Sequence, residues 1–145
     1  MDIFKRNLAP IPQEAWDEIN ARAEDVINSF LTTRKSLKVD GPHGFSKTSI
    51  SSGRLNLVDQ KISKNVSIGL YDVKPLIETR INFNLSRWEL DNILRGTKDI
   101  NLEPLEKAAQ ELALFEENVI YNGSKEAGIK GLITEAGHRF ELEDS

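Results

Sequence analysis

The amino-acid sequence predicts an α+β fold, because segments with helical and with strand periodicity occur side by side in one chain of 145 residues. Apolar residues recur at helical spacing in two long segments, residues 13–33 and 101–122. Between them, residues 45–74 have the pattern of a long β-hairpin, and residues 76–85 alternate as a strand does. A chain of this length fits one domain, so a single core is expected.

The composition is that of an ordinary soluble globular protein, with 39% hydrophobic residues, 29% charged residues and a net charge of −4. This mild acidity argues against nucleic acid as a partner, since a basic patch supplies most of the affinity for phosphates. The absence of cysteine excludes disulfides and cysteine nucleophiles. No signal peptide is recognisable, and no window approaches the ~20 apolar residues of a membrane span. We therefore expect a cytoplasmic protein without a membrane partner.

The N-terminal part is predicted to contain an arm, a helix and a short strand. Residues 1–12 hold two prolines and are expected to be extended. Residues 13–33 follow as an amphipathic helix with one apolar face. The positions of that face are Trp16, Ile19, Ala23, Val26, Ile27 and Phe30. Leu37 and Val39 then alternate with polar neighbours, which predicts a strand that ends at the turn sequence of residues 40–44.

The hairpin predicted for residues 45–74 lacks an obvious core. Its apolar pieces are short and are separated by polar, turn-forming residues. An isolated two-stranded ribbon is marginal in water, because it buries too little apolar surface to offset the ordering of its backbone. A structureless loop of this length would be equally unusual in a compact domain. The sequence therefore predicts that the hairpin finds a partner outside its own chain.

The periodicity changes from that of a strand to that of a helix at Ser86. Before it, the apolar or β-branched residues Ile77, Thr79, Ile81, Phe83 and Leu85 alternate with charged and amide side chains. Ser86 and Glu89 have the spacing of a capping box, and residues 87–95 read as a short helix that ends at Gly96.

A second long helix is predicted for residues 101–122. Its apolar stripe consists of Leu105, Ala108, Ala109, Leu112, Phe115 and Val119. Pro104 fits the first turn, where a missing N–H is tolerated, and Gly123 fits the C-terminal cap. Residues 122–133 are first rich in glycine and then apolar, which predicts a turn into a strand.

No catalytic or metal-binding residue is predicted. His43 and His138 lie in unrelated turn-like settings without a partner at ligand spacing. Adjacent carboxylates such as Glu116 and Glu117 point in different directions on a helix, which argues against an acid/base pair. Trp88 leaves two interpretations open: a core or interface tryptophan, or a stacking platform near Arg80 for a planar ligand.

With these elements in order, the chain resembles the N-terminal part of encapsulin shell proteins, the linocin-type bacterial nanocompartment family that shares the tailed-phage capsid fold. The resemblance extends over essentially the whole chain, and its segments keep their order and spacing. They are Met1-Asp2-Ile3-Phe4-Lys5-Arg6 with Ala9-Pro10 and Trp16, Gly41-Pro42-His43-Gly44, Pro75-Leu76-Ile77-Glu78 with Arg80, Trp88-Glu89-Leu90-Asp91-Asn92, Arg95-Gly96, Phe115-Glu116, and Gly123-Ser124-Lys125-Glu126-Ala127-Gly128-Ile129-Lys130-Gly131-Leu132.

This resemblance implies a phage-capsid-like fold: a peripheral domain with a long spine helix and an antiparallel sheet, plus an extended β-hairpin loop. Residues 1–44 would form the N-terminal arm, the inner helix and the first strand, and residues 45–74 the extended loop. Residues 75–134 would form the peripheral domain with its spine helix. Residues 135–145 would be the start of the axial domain or a frayed end. Family chains continue well past Ser145, so the axial domain would be largely missing.

The function implied by the resemblance is structural rather than enzymatic. The chain would be a shell subunit, or its N-terminal half, of an icosahedral nanocompartment in the cytoplasm. Many copies would assemble around a cargo such as a peroxidase or an iron-storing, ferritin-like protein. A C-terminal remainder of the shell protein would join them if the shell protein is split. By position, the apolar groove for the targeting peptide of the cargo would be formed by Ile27, Phe30, Leu31 and Arg34.

The resemblance also supplies an alternative function. No cofactor is required by a shell, but some family members bind FMN or another flavin beside the tryptophan of the Trp-Glu-Leu-Asp motif. Trp88 and Arg80 would then be the contacts in a flavin-binding protein or a flavin-dependent enzyme. An older family-level idea, a secreted bacteriocin or protease-like activity, has neither a nucleophile constellation nor an export signal in this sequence.

Overall fold

A computed structural model describes residues 3–136 of the chain and contains both helices and antiparallel strands. The α-helices are α1 (Gln13–Phe30), α2 (Arg87–Leu94), α3 (Glu103–Asn122) and α4 (Leu132–Glu135). The strands are β1 (Ser49–Val58), β2 (Ile68–Pro75), β3 (Gly123–Ser124) and β4 (Ile129–Lys130). The predicted α+β class is confirmed.

The core lies where α1, α2 and α3 meet, and we call these helices, with the linker of residues 95–102, the helical body. Its buried cluster consists of Ala15, Ile19, Leu90, Ile100, Leu102 and Leu105. Leu102, in the linker, has 1% of its surface exposed. Outside this cluster, the Arg22 guanidinium of α1 joins Glu18 and, at 2.6 Å, the Glu106 carboxylate of α3. The two long helices are thus tied together by burial and by an ion pair.

The short helix α2 begins as predicted, but its capping box is only half formed. The Ser86 hydroxyl accepts a hydrogen bond from the Glu89 backbone N–H at 3.4 Å. The Glu89 carboxylate does not return to Ser86; it accepts instead from the Asn101 backbone N–H at 3.0 Å. Glu89 therefore fixes the linker that enters α3. Gly96 follows the helix with φ 92°, a conformation that favours glycine.

Helix α3 ends at Asn122 as predicted and begins at Glu103, two residues after the predicted start, whereas the strand predicted after it is much shorter than expected. Pro104 lies in the first turn and Gly123 caps the C-terminus with φ 76°. Strands β3 and β4 pair over only two residues each, and the chain then enters α4. A Cβ on Gly131 would lie 2.4 Å from the backbone of Asn122, so the turn brings two backbone segments into direct contact.

The ribbon, as we call the antiparallel pair β1 and β2, packs on itself and is almost wholly exposed. Its register shifts between Ser51 and Leu55, where Gly53 has φ 77°. This irregularity is a β-bulge, which adds local twist. The predicted hairpin is confirmed, with strands at residues 49–58 and 68–75.

Two further predicted strands are absent from the described residues. Residues 76–85 run without strand pairing, and Leu37 and Val39 follow a short 3₁₀ turn at Thr33–Lys35. A strand requires a neighbour that satisfies its N–H and C=O groups along its length. Within residues 3–136, the Leu76 N–H donates to the Thr48 carbonyl at 2.9 Å, but residues 77–85 take part in no backbone–backbone hydrogen bond. Helix α1 also ends at Phe30, three residues before the predicted end. His138 and nearly all of the predicted unit 135–145 lie outside the described residues.

Candidate interaction surfaces

An open groove of about 670 Å³ lies between the C-terminal half of α1, helix α3 and the extended segment that follows the ribbon. Its walls are mainly apolar, with one arginine and one glutamate at the rim. The lining residues are Ile27, Arg34, Ile77, Thr79, Leu112, Ala113, Phe115, Glu116, Val119, Ile120 and Ile129. Apolar walls with few polar groups are typical of sites that bind peptides or small apolar ligands.

A bidentate ion pair forms the rim of this groove. The Arg34 Nε and Nη2 atoms donate to the two Glu116 carboxylate oxygens at 2.6 and 2.8 Å. The hydrogen bond that Arg34 donates to Glu116 raises the pKa of Arg34 above its ordinary value. Behind the pair lies a second groove of about 700 Å³, which shares Arg34, Glu116 and Ile120 with the first and extends to Pro42. The ion pair is therefore a wall between two surface grooves.

A buried carboxylate anchors the end of α1 beside this groove. Glu117 is 9% exposed and accepts hydrogen bonds from the Thr33 backbone N–H at 3.0 Å and the Thr33 hydroxyl at 2.9 Å. The Thr32 hydroxyl donates to its other oxygen at 3.0 Å. Hydrogen bonding, first of all from the Thr33 N–H, holds the pKa of Glu117 below its usual range. These bonds position the 3₁₀ turn that carries Arg34.

Glu117 was not predicted as an anchor from the sequence. Helix geometry did predict that the adjacent carboxylates Glu116 and Glu117 diverge, and the structure gives them the separate partners Arg34 and Thr33. The Thr-Thr pair at the end of the predicted helix was the available signal, since such hydroxyls favour local caps over helix interiors. The sequence separation of 84 residues hid the partner.

The four residues predicted for the cargo groove occupy different environments. Ile27 and Arg34 line the 670 Å³ groove directly. Phe30 is half-buried at the end of α1, and Leu31 is 4% exposed and belongs to the buried interior. The structure thus brings Ile27 and Arg34 together on one surface, whereas Leu31 is buried and does not line that groove.

The ribbon offers a second candidate surface. Its exposed apolar side chains include Leu57, which is 82% exposed, and Tyr71, which is 75% exposed. Each strand of a two-stranded sheet keeps one edge with unpaired N–H and C=O groups. Apolar side chains next to open strand edges are typical of surfaces that accept another polypeptide.

Trp88 and Arg80 do not form the site expected for a flavin. Trp88 is 79% exposed, so its ring has no facing wall. The Arg80 guanidinium pairs with the Glu78 carboxylate, and no cation–π contact joins it to Trp88 within residues 3–136. A stacked isoalloxazine needs a cleft that buries much of its surface. The residues present do not fit this cofactor.

Other chemistry is sparse in the described part of the chain. His43 has one carboxylate neighbour, Asp40, at 3.0 Å. Between residues 3 and 136, no group of three histidine, aspartate or glutamate side chains converges as a metal site. In the same range, no helix combines the length and the apolar character that crossing a membrane requires. The groove and the ribbon are therefore the candidate surfaces that the described residues offer.

Comparison with known proteins identifies a protein family that the sequence matches. Residues 1–143 match a family model whose description reads "Encapsulating protein for peroxidase". The match thus extends over nearly the whole sequence, including the ribbon and the groove.

Curated relatives carry a consistent description. A type 1 encapsulin shell protein of Mycobacterium tuberculosis is 37% identical over 133 residues, which are 91% of this chain and 49% of the relative. Those of Rhodospirillum rubrum and Brevibacterium linens are 34% and 32% identical, over 91% and 92% of this chain and 49% and 50% of the relatives. The chain therefore spans about half the length of the curated relatives it matches.

Proposed function

Because this chain belongs to the family described as encapsulating proteins for peroxidase, we propose that it is a structural shell subunit, or the N-terminal half of one, of an encapsulin nanocompartment. The observation that carries the proposal is the ribbon, which is folded but has no core of its own. In a subunit that works alone, such an element costs ordering entropy and buries little apolar surface in return. A subunit that assembles can complete it with a neighbour.

The partner proposed for the ribbon is a second copy of the subunit. Both outer edges of the ribbon are open, and the apolar side chains beside them lose contact with water only when another chain covers them. Strand addition at such edges supplies backbone hydrogen bonds and therefore register. In a shell of many copies, every subunit would both offer and receive a ribbon.

The finer fold proposed is the phage-capsid-like one. Helix α3 would be the spine of a peripheral domain at residues 75–134, and residues 45–74 would be its extended loop. Residues 1–44 would form the arm and the inner helix. The described strands are few because the sheet of the peripheral domain would be completed by the half of the relatives that this chain does not span. Residues 135–145 would lead into the axial domain.

Electron microscopy tests the assembly. The chain would be purified alone and together with a polypeptide that supplies the other half of the relatives' length. We expect closed, uniform particles in at least one preparation, in the cytoplasmic fraction of the producing cell. A stable protein–protein interface typically buries about 1,600 Å². If both preparations stay monomeric at concentrations at which interfaces of that size form, the proposal is contradicted.

For cargo, we propose that the 670 Å³ groove binds a short apolar targeting peptide of the enclosed protein. Ile27 would be the apolar contact and Arg34 the polar one, because both line the groove. Phe30 and Leu31, the other two predicted residues, follow on the chain at the end of α1 and would act by holding that end in place. The family description names a peroxidase, and a ferritin-like, iron-storing protein is the other cargo that the resemblance suggests. Neither cargo requires a cofactor in the shell.

The groove is tested by placing a charge in it. Ile27→Asp is expected to abolish cargo loading while particles still form, because an unpaired carboxylate in an apolar groove loses its hydration when the peptide binds. Ala21→Asp is the matched control, since it adds the same charge on an exposed position of α1 outside the groove. Co-purification of a peroxidase that carries its targeting peptide measures loading. Equal loading in both variants would disprove the groove assignment.

A further inference from the structure

The turn that joins the two strands of the ribbon is organised around one side chain, that of Gln60. Its Oε1 atom accepts hydrogen bonds from the backbone N–H groups of Ile62 at 2.7 Å and Ser63 at 3.1 Å. Its Nε2 atom donates to the Ser63 carbonyl at 2.7 Å and to the Val66 carbonyl. Both donors and both acceptor positions of the carboxamide are therefore used within the turn.

This arrangement replaces the core that the turn lacks. Gln60 is half-buried, whereas most of its neighbours in residues 59–67 are exposed. Side-chain to backbone bonds of this kind fix a loop without apolar burial. The turn is thus ordered before it contacts anything, which reduces the entropy lost on association.

The fixed turn exposes the side chain of an isoleucine to solvent. Ile62 is 91% exposed and lies between Lys61 and Lys64. A single exposed apolar residue is common on protein surfaces and has no meaning alone. Here, however, the two N–H groups that Gln60 accepts belong to Ile62 and Ser63, so the carboxamide fixes the backbone that presents this side chain.

We propose that the tip of the ribbon, residues 59–67, is a preformed peg in which Gln60 is the positioning residue and Ile62 inserts into the surface of a second copy of the chain. The inference rests on the proposed function, since it requires that copies associate. It adds which residues decide the contact. Lys61 and Lys64 would surround the insertion with positive charge.

Two observations favour a second copy as the receiving partner. The 10 residues of β1 place the tip about 30 Å from the base of the ribbon, and Ile77 and Thr79 of the 670 Å³ groove follow that base directly. The tip therefore cannot reach this groove of its own chain. The tip also carries two lysines and one aspartate in a chain of net charge −4, so the remainder of another copy is electrostatically complementary to it.

Four variants test the peg in the full chain. Ile62→Ser removes the inserted group, and Ile62→Leu restores an apolar side chain of equal volume. Gln60→Ala removes the internal bonds, whereas Asn65→Ala removes an exposed carboxamide of the same turn that takes part in no side-chain hydrogen bond described for residues 3–136. Association is measured by sedimentation velocity over a concentration series, with and without the complementary half. Backbone order is measured by hydrogen exchange of the Ile62 and Ser63 amides.

The expected pattern separates insertion from positioning. Ile62→Ser weakens association at least about tenfold with exchange unchanged, and Ile62→Leu restores it. Gln60→Ala weakens association and also speeds exchange at both amides, whereas Asn65→Ala changes neither. Wild-type association that Ile62→Ser leaves intact would overturn the peg alone. Wild-type chains that never associate would overturn the proposed function and the peg with it. Loss of association in Gln60→Ala without faster exchange would overturn the positioning role.

Discussion

The helical body and the ribbon are ordered by opposite means, although they belong to one chain. In the body, Ala15 and Leu102 are excluded from water, and Glu117 ties the end of α1 to α3. In the ribbon, the side chains stay exposed and order comes from the backbone ladder and the Gln60 turn. The body therefore buries its own apolar surface, whereas the ribbon leaves most of its apolar side chains exposed. The same substitution should have different consequences in the two regions.

The largest difference is expected for leucine truncation. Leu102→Ala in the body should lower the free energy of unfolding by about 2–5 kcal/mol, because it leaves a cavity at a position that is 1% exposed. Leu57→Ala in the ribbon, at 82% exposure, should change it by less than about 0.5 kcal/mol. Chemical denaturation of the dilute, unassociated chain measures both. Comparable losses in the two variants would show that the ribbon is folded onto the body.

Much of this contrast was predictable from sequence, because it depends on local periodicity. The ends of α3 follow from Pro104 and Gly123, and the lack of a core in residues 45–74 follows from their short apolar pieces. The strand predicted at residues 76–85 is wrong because strand formation depends on a neighbour that local periodicity does not reveal. Alternation specifies which face would be buried, but it cannot supply the neighbouring strand on which pairing depends.

A smaller difference is expected for glycine substitution. A Cβ at Gly131 would meet the backbone of Asn122 at 2.4 Å, so Gly131→Ala must shift one of two packed segments and should cost about 1–3 kcal/mol. A Cβ at Gly69 in β2 would instead meet the Leu55 side chain, at 2.5 Å. That side chain is 53% exposed and can rotate away, so Gly69→Ala should stay within about 0.5 kcal/mol. The thermal midpoints of the two variants give the comparison. A more damaging Gly69→Ala would mean that the ribbon is as closely packed as the body.

The loss of folding stability at acid pH should also originate in the helical body, at Glu117 of α3. Glu117 has a depressed pKa in the folded state, so its contribution is complete above about pH 5, near the pKa of an unfolded glutamate, and is lost as the pH falls through the folded-state value. Glu117→Gln should therefore be less stable than wild type at neutral pH, with a gap that closes on acidification. Urea midpoints across pH measure this gap. Glu111→Gln, on the exposed face of the same helix, is the control and should follow wild type.

The contacts around the groove were not predictable from sequence, because they join residues far apart in the chain. Arg34 and Glu116 are 82 residues apart, and nothing in their local patterns marks them as partners. The resemblance placed Arg34 in a groove by position, but only the structure shows that its guanidinium is already occupied. A peptide that binds there would compete with Glu116 for the Arg34 guanidinium. This competition arises because the fold brings the two residues together, and neither local sequence predicts it.

The smallest effect on folding is expected for this ion pair. Arg34 and Glu116 have side chains that are 52% and 34% exposed, so a double-mutant cycle with Arg34→Ala and Glu116→Ala should give a coupling of only about 0.2–1 kcal/mol. A larger coupling would mean that the ion pair contributes substantially to the folding stability of the helical body. If Arg34→Ala and Glu116→Ala each leave the free energy of unfolding nearly unchanged, changes in their cargo loading cannot be attributed to unfolding. Glu116→Ala should then load more strongly than wild type, because it frees the guanidinium for the peptide, whereas unchanged loading would mean that Arg34 does not contact the cargo.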